Sequence, residues 1–107
     1  MKDRVEHVRQ MPCIACTLRG REQNTVTEAH HLNIGGKHGQ KRRGDRYTIP
    51  LCKWHHQGHV RFGWSKHQMA MKYGPSYALR SRAFREEFGP DDFLLAETDK
   101  RYEALYG

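Results

Sequence analysis

With 107 residues, of which 36% are apolar, the chain falls in the range of one domain with a modest hydrophobic core. Its formal charge of +7 and isoelectric point of about 9.6 point to a polyanionic partner, nucleic acid first. No stretch approaches the ~18 apolar residues of a membrane span, and the densest basic cluster lies among glycines rather than on an amphipathic helix, so membrane-spanning and membrane-surface classes are excluded.

In chain order, residues 1–10 are charged throughout and predict an arm or a short helix. Pro12 introduces Cys13 and Cys16, and residues 17–24 are polar around Gly20, as in a loop. Residues 25–32 alternate enough to predict a strand, which runs out through His30 and His31. Residues 33–46 hold Gly35, Gly36, Gly39 and Gly44 among Lys37, His38, Lys41, Arg42, Arg43 and Arg46. That composition predicts an irregular basic loop able to lie on a phosphate backbone, with an ordinary solvated loop as the bland alternative. Residues 47–51 predict a second short strand, which Pro50 restricts to an edge or terminal position, and residues 52–59 begin a helix. Helices follow over residues 64–73, 77–88 and 90–106, punctuated by Gly74-Pro75 and Gly89-Pro90. Pro90 ahead of Asp91 and Asp92 is a strong helix start, because carboxylates favour the positive end of the helix dipole. The expectation is one α+β domain over residues 1–107, with a ββα finger at about residues 11–63 and a helical extension at about residues 64–107.

So small a core calls for a supplement, and three cysteines cannot close into disulfides alone. The absence of an apolar leader at the N-terminus predicts a reducing cytoplasm, where cysteines suggest metal. Cys13 and Cys16 are separated by two residues, as are Cys52 and His55, and each pair suits a tight turn presenting two ligands to one ion. Together they predict a tetrahedral Cys3His site for structural zinc, against the alternative of buried or redox-active thiols.

Adjacent His30 and His31 on a strand point in opposite directions, and adjacent His55 and His56 on a helix differ by about 100° of rotation. Each pair can therefore do two jobs. The economical assignment gives His55 to the structural zinc and His56 to a second ion. His7, His38 and His67 have no motif support and are expected at the surface. Trp54 and Trp64 are expected in the core rather than stacked on bases, and Tyr77, Leu79, Phe84, Phe88, Phe93, Leu94 and Leu95 in the core or against a partner.

The succession CxxC, Glu28-Ala29-His30-His31-Leu32 and Pro50-Leu51-Cys52-Lys53-Trp54-His55-His56-Gln57-Gly58-His59 resembles the HNH (His-Me finger) endonucleases. Within them the chain is most similar to the phage recombination-enhancement, RecA-dependent nucleases, with Phe62-Gly63, Lys72-Tyr73-Gly74 and residues 94–98 as the looser downstream match. The resemblance implies a zinc-stabilised ββα-metal finger, and a metal-dependent DNA endonuclease that hydrolyses phosphodiester bonds in recombination or phage DNA processing. Its partners would be DNA and a RecA-type filament, in the cytoplasm of a bacterium or phage-infected host. It further implies that His30 and His56 hold a catalytic divalent ion, Mg2+, Mn2+ or Zn2+, and that His31 is the general base. Two positions depart from the pattern. Asp45 lies in the region where many relatives carry an orienting asparagine, and Val60 replaces a further helix histidine. His59 stands one residue earlier, four after His55, as a candidate ligand of either ion, a phosphate contact or a surface residue. The rival reading is a non-catalytic zinc-binding DNA-binding module, and a third is a zinc-stabilised adaptor using its helical tail.

Overall fold

The structure, a computed structural model, describes residues 4–23, 25–32 and 45–107. In chain order they form α1 (Arg4–Arg9), α2 (Ile14–Leu18), β1 (Thr27–His31), a short 3-10 turn (Asp45–Tyr47), β2 (Thr48–Cys52), α3 (Lys53–Gln57), α4 (Lys66–Tyr73), α5 (Ser81–Phe88) and α6 (Asp91–Tyr106). The class is α+β: a two-stranded sheet among helices.

β1 and β2 pair antiparallel, with Thr27 opposite Cys52, Ala29 opposite Pro50 and His31 opposite Thr48. Their sequences explain their unequal burial. Every residue of β2 is buried, whereas the polar β1 is half-buried along its length. Pro50 fits because a two-stranded sheet has only edge strands, where a missing N–H need not break a ladder. The Leu32 amide donates to the Tyr47 carbonyl at 2.9 Å, tying together the two ends of the segment that separates the strands.

α3 is shorter than residues 52–59 predict. Gly58 stops it in a left-handed conformation at φ 75°, and a Cβ there would fall 2.6 Å from Leu79. The downstream helices keep their predicted punctuation but start later, at Lys66 and Ser81. α4 begins with a capping box in which Ser65 and Gln68 satisfy each other's backbone amides. α6 begins where the sequence predicts, behind Pro90, with Asp91 and Asp92 in its first turn.

One core joins finger and extension. Cys13, Ile14, Cys16, Leu32, Ile49, Leu51, Cys52 and Trp54 pack in the same cluster as Met69, Tyr73, Phe84, Phe88 and Leu94. Trp54 is buried as predicted, and its indole N–H donates to the Gly74 carbonyl at 2.8 Å. Trp64 packs partly buried against the cluster.

α1 docks more firmly than an arm would. Arg4 donates to Thr48 Oγ1 at 3.2 Å and to the Thr48 carbonyl at 2.9 Å, and it pairs with Asp99 on α6 at 2.8 Å. His7, expected at the surface, lies instead between elements: its Nδ1 is 2.6 Å from the Tyr102 hydroxyl, and its ring stacks on Tyr106 at 4.1 Å. The expectation failed because aromatics nearly a hundred residues away carry no local signal. His67 is exposed, and His38 lies outside the described residues.

Because Phe84 of α5 is fully buried in the core cluster that also holds the residues of the sheet-bearing half, Phe84→Ala should destabilise the whole domain. The expected loss is about 3–5 kcal/mol, read by chemical denaturation. A loss below about 1 kcal/mol would show that the helical extension does not share the finger's core.

Candidate metal centres

Cys13 is the N-cap of α2, and its sulfur accepts from the Cys16 amide at 3.5 Å, so the CxxC segment is a closed knuckle. Cys52 ends β2 as the N-cap of α3, which places His55 one turn further along the same side. His55 Nδ1 then lies 3.5, 3.6 and 3.3 Å from the sulfurs of Cys13, Cys16 and Cys52, and the Cys16 and Cys52 sulfurs are 4.0 Å apart. All four ligand atoms fall within 4.8 Å of one another, all four residues are buried, and the cysteines are free thiols.

A tetrahedral ion with Zn–S of about 2.3 Å and Zn–N of about 2.0 Å requires edges of about 3.8 Å between sulfurs and about 3.5 Å between sulfur and nitrogen. The cluster has those dimensions, and its soft donors suit zinc, so the residues present fit the ion. The electrostatics agree. Hydrogen bonds to Cys13 and Cys52, followed by burial, push the Cys16 thiol up, whereas hydrogen bonds from Cys13 and Cys16 draw Cys52 down. Burial most strongly opposes charge on His55, but the Cys13 and Cys52 sulfurs overcome it and raise the imidazole to about 10. Without an ion the cluster thus keeps a proton on Cys16, and a divalent cation would replace it and let the sulfur ligate as a thiolate.

The surroundings orient the ligands. His55 Nε2 donates to the Tyr73 carbonyl at 2.8 Å, which fixes the tautomer and leaves Nδ1 for the sulfur side. The His55 carbonyl accepts from the Tyr77 amide at 2.8 Å, and Phe88 meets the imidazole edge-on at 5.1 Å. Gln23 Oε1 accepts from the Cys13 amide at 2.6 Å while its Nε2 donates to the Thr25 carbonyl and to Thr27 Oγ1, linking knuckle to β1. Neither Gln23 nor the Tyr73 carbonyl is visible in the ligand spacing, because both act through the fold.

A second group forms between β1 and α3. Strand alternation puts Glu28 and His30 on one face of β1 and Ala29 and His31 on the other. α3 brings His56 to the first face, where the His30 and His56 ring centres are 5.0 Å apart at 75°. Glu28 Oε1 lies 2.8 Å from His56 Nδ1 and accepts from Gln57 Nε2 at 2.6 Å. This carboxylate fixes the His56 ring and leaves Nε2 on its far edge. An ion about 2.1 Å from one nitrogen of each ring would sit about 3.2 Å from each ring centre, so a ligand angle near 100° requires centres about 5 Å apart. The ring-centre separation matches that spacing, whereas the cluster of three or more ligand groups close enough to hold an ion, among the described residues, is the cysteine site. Glu28 was legible only as His30 minus two, the period that puts two strand residues on one face.

Tyr77 closes the other side of His30, with ring centres 4.5 Å apart. Its hydroxyl donates to Asp91 at 3.0 Å and accepts from Arg85 Nη2 at 2.9 Å. Burial, then the Asp91 carboxylate, hold the phenol above its ordinary pKa, so the hydroxyl stays a donor. Sequence placed Tyr77 in the core or against a partner; it is half-buried against the histidine.

His31 lies opposite Thr48, on the face of the sheet that Arg4 reaches. His59 is exposed beyond the end of α3, so it shares no helix face with His55 and stands outside the cysteine cluster. Gly58 is the reason: the helix ends before the fourth residue is reached. Arg46 is exposed, with its guanidinium 5.5 Å from the Tyr47 ring centre, and Asp45 opens the 3-10 turn that leads into β2. Lys37, His38, Lys41, Arg42 and Arg43 lie outside the described residues.

Fold and cluster define a small α+β protein with a buried Cys3His site able to hold a metal ion. The family described as recombination enhancement, RecA-dependent nuclease matches residues 1–103, and the chain belongs to that family. Membership supports a nuclease role in recombination. No curated protein and no solved structure was found to match. No helix among the described residues is long and apolar enough to cross a membrane.

The dimensions of the cysteine cluster predict about one zinc per chain, retained through mild chelation, measured by elemental analysis of the purified protein. Cys52→Ala should lose both the zinc and the folded state. Folded protein without zinc would exclude the assignment.

Proposed function

We propose that the protein is a metal-dependent DNA endonuclease of HNH type, acting in recombination or phage DNA processing on DNA coated by a RecA-type recombinase. Cys13, Cys16, Cys52 and His55 hold a structural zinc, and His30 and His56 hold a catalytic Mg2+, Mn2+ or Zn2+. The observation that carries this reading is the His30–His56 pair at 5.0 Å with Glu28 fixed to His56 Nδ1. Two protein ligands leave coordination positions open, as hydrolysis requires and a purely structural site does not.

When bound, such an ion withdraws charge from a phosphodiester and stabilises the leaving oxygen. The chain's own residues do the rest. Glu28 holds His56 in one tautomer and orientation, and Tyr77 backs the His30 ring. His31, the last residue of β1, alternates to the face opposite His30, and its role as the base that takes the proton from the attacking water rests on the family resemblance and on the suitability of imidazole. Asp45 takes the place of the asparagine common among relatives, restraining either the loop or His31. Lys37, Lys41, Arg42, Arg43 and Arg46 hold the phosphate backbone. The work is done in the cytoplasm of a bacterium or phage-infected host.

DNA binding should weaken steeply with salt, and alanine at Lys41, Arg42 and Arg43 together should flatten that dependence, since each lost phosphate contact releases fewer counterions. An unchanged slope in the triple variant, measured by fluorescence anisotropy, places the DNA surface elsewhere.

Metal calorimetry beside plasmid cleavage separates ligand from base. His30→Ala and His56→Ala should weaken the second metal and slow cleavage together, and Glu28→Gln should lower that metal's affinity by about 10- to 100-fold. His31→Ala should keep the fold, the zinc and most second-metal affinity, yet lose about two to four orders of magnitude in rate. Parental cleavage by His31→Ala at saturating metal would falsify the base assignment. Absence of cleavage by the parent under every divalent metal would favour the non-catalytic DNA-binding module.

A further inference from the structure

Among the described residues only one non-glycine residue, Phe62, has a positive φ, at 63°, followed by Gly63 at 71°. The Trp64 amide donates to the Arg61 carbonyl at 3.0 Å, so residues 61–64 form a tight turn with both central residues left-handed. Asparagine or glycine is the usual occupant of the first central position, and a bulky aromatic there is a strained choice. The ring gains no burial in return. Phe62 is 56% exposed, although it touches Trp64 at 5.1 Å between ring centres. Strain retained at an exposed aromatic is an outlier from which a function can be inferred.

The surroundings of Phe62 are cationic and concave. Arg61 lies with its guanidinium 5.6 Å from the Phe62 ring centre, and Trp64 continues the aromatic series to Tyr73 at 6.4 Å, with rings 30° apart. Phe62, Tyr73, Lys72, Arg21, Glu22 and Gln23 line a cavity of about 550 Å³, within the ordinary range of about 300–1,000 Å³ for a ligand site. Arg21 lines the cavity, and its buried Nε has no hydrogen-bond partner among the described residues, so its guanidinium is not committed through that nitrogen to another group. Arg21, Arg61 and Lys72 outweigh the single acid, Glu22, in charge. The floor is rigid, because the Tyr73 carbonyl holds His55 and the Gln23 side chain holds the Cys13 amide.

We propose that the Phe62 turn and its cavity form a single-stranded DNA subsite, in which an unpaired base stacks on Phe62 while Arg21, Arg61 and Lys72 hold the flanking phosphates. It rests on the DNA-processing reading, yet it uses none of the histidines assigned to cleavage. An exposed ring on a strained turn suits an unpaired base, whose face is available in a way that a base within a duplex stack is not.

The test uses the full-length protein without added magnesium or manganese, so that binding is read independently of cleavage. Its probes are a fluorescein-labelled twelve-nucleotide oligo(dT) and an abasic oligonucleotide of the same length. The parent should bind the first more tightly by about 5- to 150-fold, the range for one stacked base. Phe62→Asn, which tolerates the left-handed conformation but has no aromatic ring, should bind both alike while its Tm stays at or above the parental value. Phe62→Trp should keep the base preference, and Lys72→Ala should weaken both probes equally. Parental base preference in Phe62→Asn overturns the proposal, even where the protein cleaves plasmid normally. Ring-dependent base preference in a protein that never cleaves would sustain the subsite while removing the nuclease reading.

Discussion

The fold depends on holding three sulfurs and one imidazole nitrogen within 4.8 Å of one another in a buried site. Three buried thiolates repel, and the domain has little apolar surface with which to offset that repulsion. A divalent cation held there would turn the same four groups into a cross-link between the CxxC knuckle and the β2–α3 junction, which are far apart in sequence. His55 extends that cross-link. Its Nδ1 faces the sulfurs, its Nε2 engages Tyr73, its carbonyl receives the Tyr77 amide, and its ring meets Phe84 and Phe88. The downstream helices are thus attached through the metal cluster as well as through the core.

The cluster also positions the second group. α3 spans only Lys53–Gln57, so the rotation between neighbouring residues is set within one turn: the anchoring of His55 dictates where His56 points. His56 then meets Glu28 and His30, both presented by the same face of β1. A single rigid turn accordingly carries one residue of the cysteine cluster and one of the His30–His56 pair. That coupling makes the variants of the first site uninformative about the chemistry of the second.

The ends of the chain stabilise the sheet from outside. Arg4 binds both the side chain and the carbonyl of Thr48 and pairs with Asp99, while His7 fits against Tyr102 and Tyr106 of α6. These contacts clamp β2 on the side where His31 stands in register with Thr48.

The sequence by itself determined the α+β class, the strand–strand–helix order, the Gly-Pro punctuation and the four residues of the cysteine cluster, because ligand spacing, side-chain alternation and turn chemistry are local signals. The pairing of His30 with His56 came from the resemblance to the HNH endonucleases and not from spacing. Tertiary structure alone decided the rest. Glu28 became the carboxylate that fixes His56, Gln23 and the Tyr73 carbonyl became supports of the cluster, Tyr77 became the backing of His30, and His7 became half-buried against α6. Each of these depends on contacts between segments distant in sequence, which no periodicity encodes. His59 lost its shared face with His55 because Gly58 ends α3, a stop set by a left-handed backbone and the approach of Leu79. The strain at Phe62 belongs to the same class: a Phe-Gly pair is ordinary in sequence, and only the backbone angles reveal an aromatic residue held where glycine or asparagine would rest more easily.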